Sequence, residues 1–227
     1  MRIAVAVIAA LAVLALPGAA AAAHRDRGPV ARIAQATSFP DDPANGEGWQ
    51  AMQWNFAGPF GINAMQAWAN MFAVNRPGGR GVTVAVLDTG VAYANRGRFK
   101  RSPDFAPTTF VRGYDFVGHD PYPDDPQGHG THVAGTIASW TNNAYGLTGL
   151  AFGARIMPVR VLNANGEGNA GTIAKGVRFA ADRGAKVINL SLEFSSDVTA
   201  NTIPALIKAI NYAHRKGAVV IAASGNE

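Results

Sequence analysis

Three polar residues in this chain have types and settings that suit acyl-transfer chemistry. Asp88 closes the apolar, β-branched run Val82 to Leu87 and is followed by Thr89-Gly90. His129 stands between Gly128 and Gly130, just before a helical pattern over His132 to Trp140. Asn226 follows the apolar run Val219 to Ala223 through Ser224-Gly225. Singly, each has an ordinary reading: a turn aspartate, a structural histidine, a Gly-Asn turn. Jointly, a carboxylate holds an imidazole in one tautomer, the imidazole takes a hydroxyl proton, and an amide donates to a tetrahedral oxyanion. Other chemistries use fewer of them. Asp-Thr-Gly is half of a paired-carboxylate site, which needs a second copy and gives His129 no work. His129 and His132 form an i, i+3 pair that could take a metal, although helical zinc sites favour i, i+4 with a nearby acid.

Such residues need a scaffold that brings them together. Val82 to Leu87 reads as a strand buried on both faces, Ala154 to Leu162 and Lys186 to Leu190 as further strands, and Val219 to Ala223 as a central, buried one. Asn63 to Phe72, His132 to Trp140, Thr172 to Arg183 and Pro204 to Lys216 carry apolar residues at helical spacing, with Asn63 as an N-cap. The last two end in Arg183-Gly184 and Lys216-Gly217, a basic residue and then a helix-stopping glycine. Alternating strands and helices give an α/β fold, a parallel β-sheet flanked by helices on both faces. In such sheets, chemistry sits at the carboxyl ends of the strands, where Asp88, Ser191 and Asn226 fall.

Four segments, in order, resemble the subtilisin-like serine peptidases from about Gln53 onward. They are Val84-Ala85-Val86-Leu87-Asp88-Thr89-Gly90, Gly128-His129-Gly130-Thr131-His132-Val133-Ala134-Gly135, Val187-Ile188-Asn189-Leu190-Ser191-Leu192 and Ala222-Ala223-Ser224-Gly225-Asn226-Glu227. The resemblance implies a three-layer subtilisin-like fold, incomplete at the C-terminus. It also implies Asp88 as triad acid, His129 as general base, His132 as a structural neighbour and Asn226 as oxyanion donor. Ser191, Leu192 and Glu193 would form the extended edge that pairs with a polypeptide substrate, and the loop containing Gly166 and Gly168 would face it across the cleft. Calcium is the cofactor implied, held by Asp104 and by the loop containing Asn143, Tyr145 and Leu147. An ordinary Asn-rich turn is the competing reading of that loop. Asp120, Asp124 and Asp125 are a further calcium candidate, with a solvated loop bordering His129 as the alternative.

The chain also departs from that family. The nucleophile's Gly-Thr-Ser motif is absent, and Ser191, Ser195, Ser196 and Ser224 read as strand-end and loop residues. The expectation is a serine endopeptidase truncated before its nucleophile and therefore inactive. The alternative is a non-catalytic remnant or peptide-binding module that keeps the cleft. Glu193 replaces the glycine usual in the substrate edge, leaving open whether its carboxylate favours basic side chains or is too exposed to matter. Residues 24–48 are too few for a folded pro-domain.

Composition sets the outer bounds. Cysteine is absent, which removes disulfides, thiolate nucleophiles and Cys-based zinc sites. The net charge of +5 is scattered rather than run together, so no nucleic-acid partner is expected. Arg2, the apolar run Ile3 to Leu16 and an Ala-rich stretch ending at Ala23 read as a signal peptide, residues 1–23. The run is shorter than the roughly 20 residues of a membrane span, so no stable membrane insertion is expected after cleavage. A leader or linker over 24–48 and a partial peptidase domain over 49–227 follow, in a protein secreted to the extracellular space or periplasm.

Overall fold

The computed structural model describes residue 40, residues 42–106 and residues 109–226. The segment read as a signal peptide, most of the leader, and Glu227 lie outside the described residues. The described end of the leader is packed rather than loose. Asp42 and Ala44 are buried, Trp49 Nε1 donates to the Pro40 carbonyl at 2.9 Å, and the Ala44 amide donates to Gly146 at 3.0 Å.

Among the described residues six α-helices and five strands follow in chain order: α1 (Trp49–Met52), α2 (Trp54–Ala57), α3 (Ala64–Ala73), β1 (Thr83–Asp88), β2 (Tyr114–Asp115), α4 (His129–Ala138), β3 (Arg155–Arg160), α5 (Ala170–Asp182), β4 (Val187–Leu190), α6 (Pro204–Arg215) and β5 (Val219–Ala222). The strands form one sheet in the order β2-β3-β1-β4-β5, and every pairing is parallel.

The central strand shows why its sequence is apolar throughout. All six residues of β1 are buried. Ala85 and Leu87 face the core beneath α5 and α6, while Val84 and Val86 face the core beneath α4. A strand covered on both sides cannot alternate apolar with polar residues. The result is the expected three-layer α/β arrangement, with α4 on one face and α5 and α6 on the other. A smaller cluster of Trp49, Phe56, Ala64 and Trp68 packs on Leu147, Leu150 and Phe152.

Three sequence expectations are corrected. Asn63 occupies the N-cap position of α3 but makes no side-chain cap, because its backbone is left-handed (φ 54°) and its carbonyl takes the Gln66 and Ala67 amides instead. Helix α4 starts at His129, three residues before the helical pattern suggests. The last strand, expected to be central and buried, pairs among the described residues only with β4, and Val219 and Ile221 are 47% and 37% exposed.

Candidate active site

The polar site stands at the carboxyl end of the sheet. Asp88 is the last residue of β1 and is fully buried. His129 is the first residue of α4, with nearly half of its side chain exposed. Its Nδ1 lies 2.8 Å from Asp88 Oδ1 and 3.0 Å from Oδ2. Nδ1–H donating to the carboxylate fixes the tautomer and leaves Nε2 as the proton acceptor. The Thr89 amide also donates to Asp88 Oδ1 at 2.7 Å. Burial pushes the Asp88 carboxyl above the ordinary carboxylate range, and the hydrogen bonds from His129 and the Thr89 amide pull it part of the way back.

Asp125 fixes where this helix begins. Its Oδ1 accepts the Gln127 amide (3.0 Å), the Gly128 amide (2.8 Å) and the Thr89 hydroxyl (2.9 Å). Its Oδ2 accepts the Thr131 amide (2.9 Å) and the Thr131 hydroxyl (2.5 Å). Unpaired amides at a helix start need acceptors, and here one carboxylate serves several of them. Asp125 is therefore a connector, not a member of a solvated acidic loop as the alternative reading held. Burial alone would raise its pKa, but the Thr131 hydroxyl and the backbone amides outweigh it and hold the carboxyl below the usual range.

Asp124, beside it, is buried and paired with Arg96. Arg96 also stacks on the Tyr122 ring, 3.6 Å from its centroid. Asp120 accepts the Tyr122 amide at 2.7 Å. Asp120, Asp124 and Asp125 are thus engaged with different partners, and among the described residues no three His, Asp or Glu side chains are grouped as metal ligands.

The approach of α4 to β1 depends on Gly130. A Cβ there would meet the Gly90 carbonyl oxygen at 2.1 Å and Asp88 Cβ at 2.9 Å. Only a residue without a side chain lets Asp88 and His129 come this close. The Gly130 amide donates to Thr89 Oγ1 at 3.0 Å, and the His129 amide to Gln127 Oε1 at 2.7 Å.

A cleft of about 560 Å³ opens beside the pair. Its walls include His129, Ser191 and Leu192, with Glu193, Gly166 and Gly168. Asn226 also lines it, and its backbone amide donates to Glu193 Oε2 at 2.8 Å. The fold thus gathers around one cleft residues drawn from four distant segments. Sequence reading alone passed over Thr89 and Gln127, which line the same cleft and orient His129. The available signal was a polar residue directly after the candidate acid and another two residues before the candidate base. His132 is exposed one turn along α4 and has no part in the Asp88–His129 pair.

The residues read as calcium ligands lie elsewhere and are also grouped. Asn143 Nδ2 donates to Asp104 Oδ1 at 3.1 Å, and the Leu147 amide reaches Asp104 Oδ2 at 3.4 Å. The Tyr145 amide donates to Asn143 Oδ1 at 3.0 Å. Asp42, absent from the sequence reading, joins them and accepts the Asn142 and Asn143 amides at 3.2 Å each. Burial raises the Asp104 pKa, and the charge of Asp42 adds to the rise. Two close carboxylates around one loop with carbonyl oxygens are a donor set suited to a hard cation.

The profile of the family described as Peptidase_S8, the subtilase family, matches residues 79–227. The chain belongs to the subtilase family. A thermophilic serine proteinase of Bacillus sp. (strain AK1) is 46% identical over 149 residues, covering 66% of this chain and 34% of that protein. Thermitase of Thermoactinomyces vulgaris is 43% identical over 169 residues, covering 74% of this chain and 54% of thermitase. Among solved structures, a protease from Pseudoalteromonas arctica superposes with a TM-score of 0.63 at 30% identity, over 81% of this chain and 58% of that one. This subtilase chain therefore spans from a third to just over half the length of these relatives. Its Asp88–His129 pair lies in the segment matched.

Proposed function

We propose that this subtilase chain supplies the acid, the base and the oxyanion donor of a secreted serine endopeptidase. The observation that carries the reading is the Asp88 carboxylate on His129 Nδ1, at the mouth of a cleft that Asn226 also lines. In peptide hydrolysis, His129 Nε2 takes the proton of an attacking serine hydroxyl and later returns it to the leaving amine. Asp88 steadies the imidazolium that forms between these steps. The Asn226 side-chain amide stabilises the oxyanion, a contribution of about a hundred- to a thousandfold in turnover. Ser191 to Glu193 offer a substrate an extended edge, with Gly166 and Gly168 opposite.

Among the described residues no serine hydroxyl is hydrogen-bonded to His129. Ser191 Oγ instead accepts from Asn189 Nδ2 at 2.9 Å. No serine among the described residues is therefore assigned as the nucleophile in this reading. That same observation favours the second reading, a peptide-binding remnant with no nucleophile at all. The signal-peptide pattern of residues 1–23 supports export, and no helix among the described residues is long and apolar enough to cross a membrane.

Calcium is the cation proposed for the loop site. Asp42 and Asp104 would hold it with Asn143 and the carbonyls of Tyr145 and Leu147, and its charge would relieve the repulsion between the carboxylates. Its contribution would be to stability.

A serine-directed fluorophosphonate probe applied to the protein purified from its natural source separates the two main readings. Covalent labelling, lost in His129→Ala, is the result expected. An unlabelled but folded protein would leave the peptide-binding reading in place.

A further inference from the structure

The cleft has a charge opposite to that of the whole protein. The chain carries a net charge of +5. Yet Glu193 and Glu167 line the cleft and, among the described residues, no Lys or Arg does. The two carboxylates come from different walls, Glu193 from the segment after β4 and Glu167 from the loop before α5.

Both are held in place. Glu193 Oε2 accepts the Asn226 amide at 2.8 Å and lies against Gly225, where an added Cβ would come within 2.8 Å of that oxygen. Glu167 Oε2 accepts Asn163 Nδ2 at 3.2 Å, and the Glu167 backbone bonds Asn163 in both directions. A carboxylate has about four acceptor positions, so each keeps capacity for a cationic donor from a bound peptide. Glu193 also sits one hydrogen bond from Asn226, so its charge stands next to the proposed reaction centre rather than at a remote rim.

We propose that Glu193, assisted by Glu167, makes this cleft selective for peptides with an arginine or lysine beside the reacting bond. The proposal rests on the reading of the cleft as a peptide site and names the substrate class for it. Selectivity of this kind comes from pairing a substrate cation with a fixed carboxylate, and from repelling acidic side chains at the same place. Because the carboxylates reach solvent, the preference is moderate and salt-sensitive.

The test is the affinity of two dye-labelled tetrapeptide amides, acetyl-Ala-Ala-Ala-Arg-amide and its citrulline counterpart, for the intact protein. Citrulline keeps the shape of arginine and removes its charge. The arginine peptide is expected to bind about three- to tenfold more tightly at low ionic strength, on the scale of two exposed ion pairs. That ratio should shrink toward one at about 0.5 M salt, where charges are screened over a few ångströms. Glu193→Gln, which keeps an acceptor for the Asn226 amide, should remove most of the ratio, and Glu167→Gln a smaller part. Taking the ratio within each protein cancels any general weakening, and the salt series needs no variant. Equal affinities in the unaltered protein, or a ratio that survives Glu193→Gln with Glu167→Gln, would overturn the proposal while leaving the cleft reading intact. Binding of neither peptide would remove the cleft reading, and the proposal with it.

Discussion

Thr89 and Asp125 are joined by a hydroxyl–carboxylate hydrogen bond of 2.9 Å across 36 residues of sequence. Thr89 follows the acid of the pair, and Asp125 caps the helix that begins with the base. The same Thr89 hydroxyl accepts the Gly130 amide at 3.0 Å. Strand end and helix start are thus locked together behind the Asp88–His129 contact. The site owes its geometry to this lock as much as to the pair itself.

Replacing Asp125 by alanine removes an acceptor shared by two hydroxyls and three backbone amides. Hydrogen bonds to a charged group contribute about 1.5–3 kcal/mol each, and water recovers part of that at this half-buried position. A loss of about 2–4 kcal/mol in unfolding free energy is expected. Denaturant titration checks it, and a midpoint unchanged from the parent would show that the bonds carry no net stability.

Acidification should act through Asp125 and Asp88 in opposite directions. The Asp125 pKa is lowered in the fold, so its stabilisation is complete above the unfolded value of about 4 and fades as the pH falls through the folded one. The Asp88 pKa is raised, so its protonated form favours folding and its cost grows as the pH rises through its range. Asp125→Asn should therefore lose less stability than the parent between pH 5 and pH 3. Unfolding midpoints measured across that interval decide the matter.

Gly130→Ala tests the close approach of α4 to β1. The new methyl would meet a backbone oxygen at 2.1 Å, which rotation of a side chain cannot relieve. Helix α4 must shift, at a cost of about 1–3 kcal/mol or more. The His129 Nδ1 proton should lose its hydrogen-bonded downfield NMR signature. Retention of that signal would show that the helix start can move without disturbing the pair.

Asp88→Asn separates stability from chemistry. Burying an amide in place of a carboxylate removes a desolvation penalty, so folding stability at neutral pH should hold or rise. Peptidase turnover of the intact source protein should fall about ten-thousandfold, because the amide favours the wrong imidazole tautomer. Full activity in this variant would show that Asp88 is not the triad acid.

Calcium should raise the thermal midpoint of the protein by mass action, more as its concentration exceeds the dissociation constant. Asp104→Asn should abolish that dependence while raising the midpoint in chelator, since it removes one of two charges that repel each other, the half-buried partner of the buried Asp42. A midpoint indifferent to calcium in the unaltered protein would leave the loop as the ordinary turn.

Much of this architecture is legible in local patterns. Strands β1, β3, β4 and β5 are apolar runs, and α3, α5 and α6 carry apolar residues at helical spacing, because burial on a sheet or along one helix face imposes a short repeat on the chain. The two-residue strand β2 and the four-residue helices α1 and α2 are too short for a repeat to register. The motifs around Asp88 and His129 could be read as chemistry because their small flanking residues and strand-end setting are themselves local. Only the tertiary structure decided what those residues touch. The Asp88–His129 bond spans 41 positions, the Glu193–Asn226 bond 33, and Asp42 meets Asn143 across 101. Asp125 passed for one acid among three neighbours, and the role of Glu193 stayed open between two readings, until packing gave each its partners. Periodicity records which face of an element is buried; it carries no record of which distant donor will find a given carboxylate. That choice is made when the layers close.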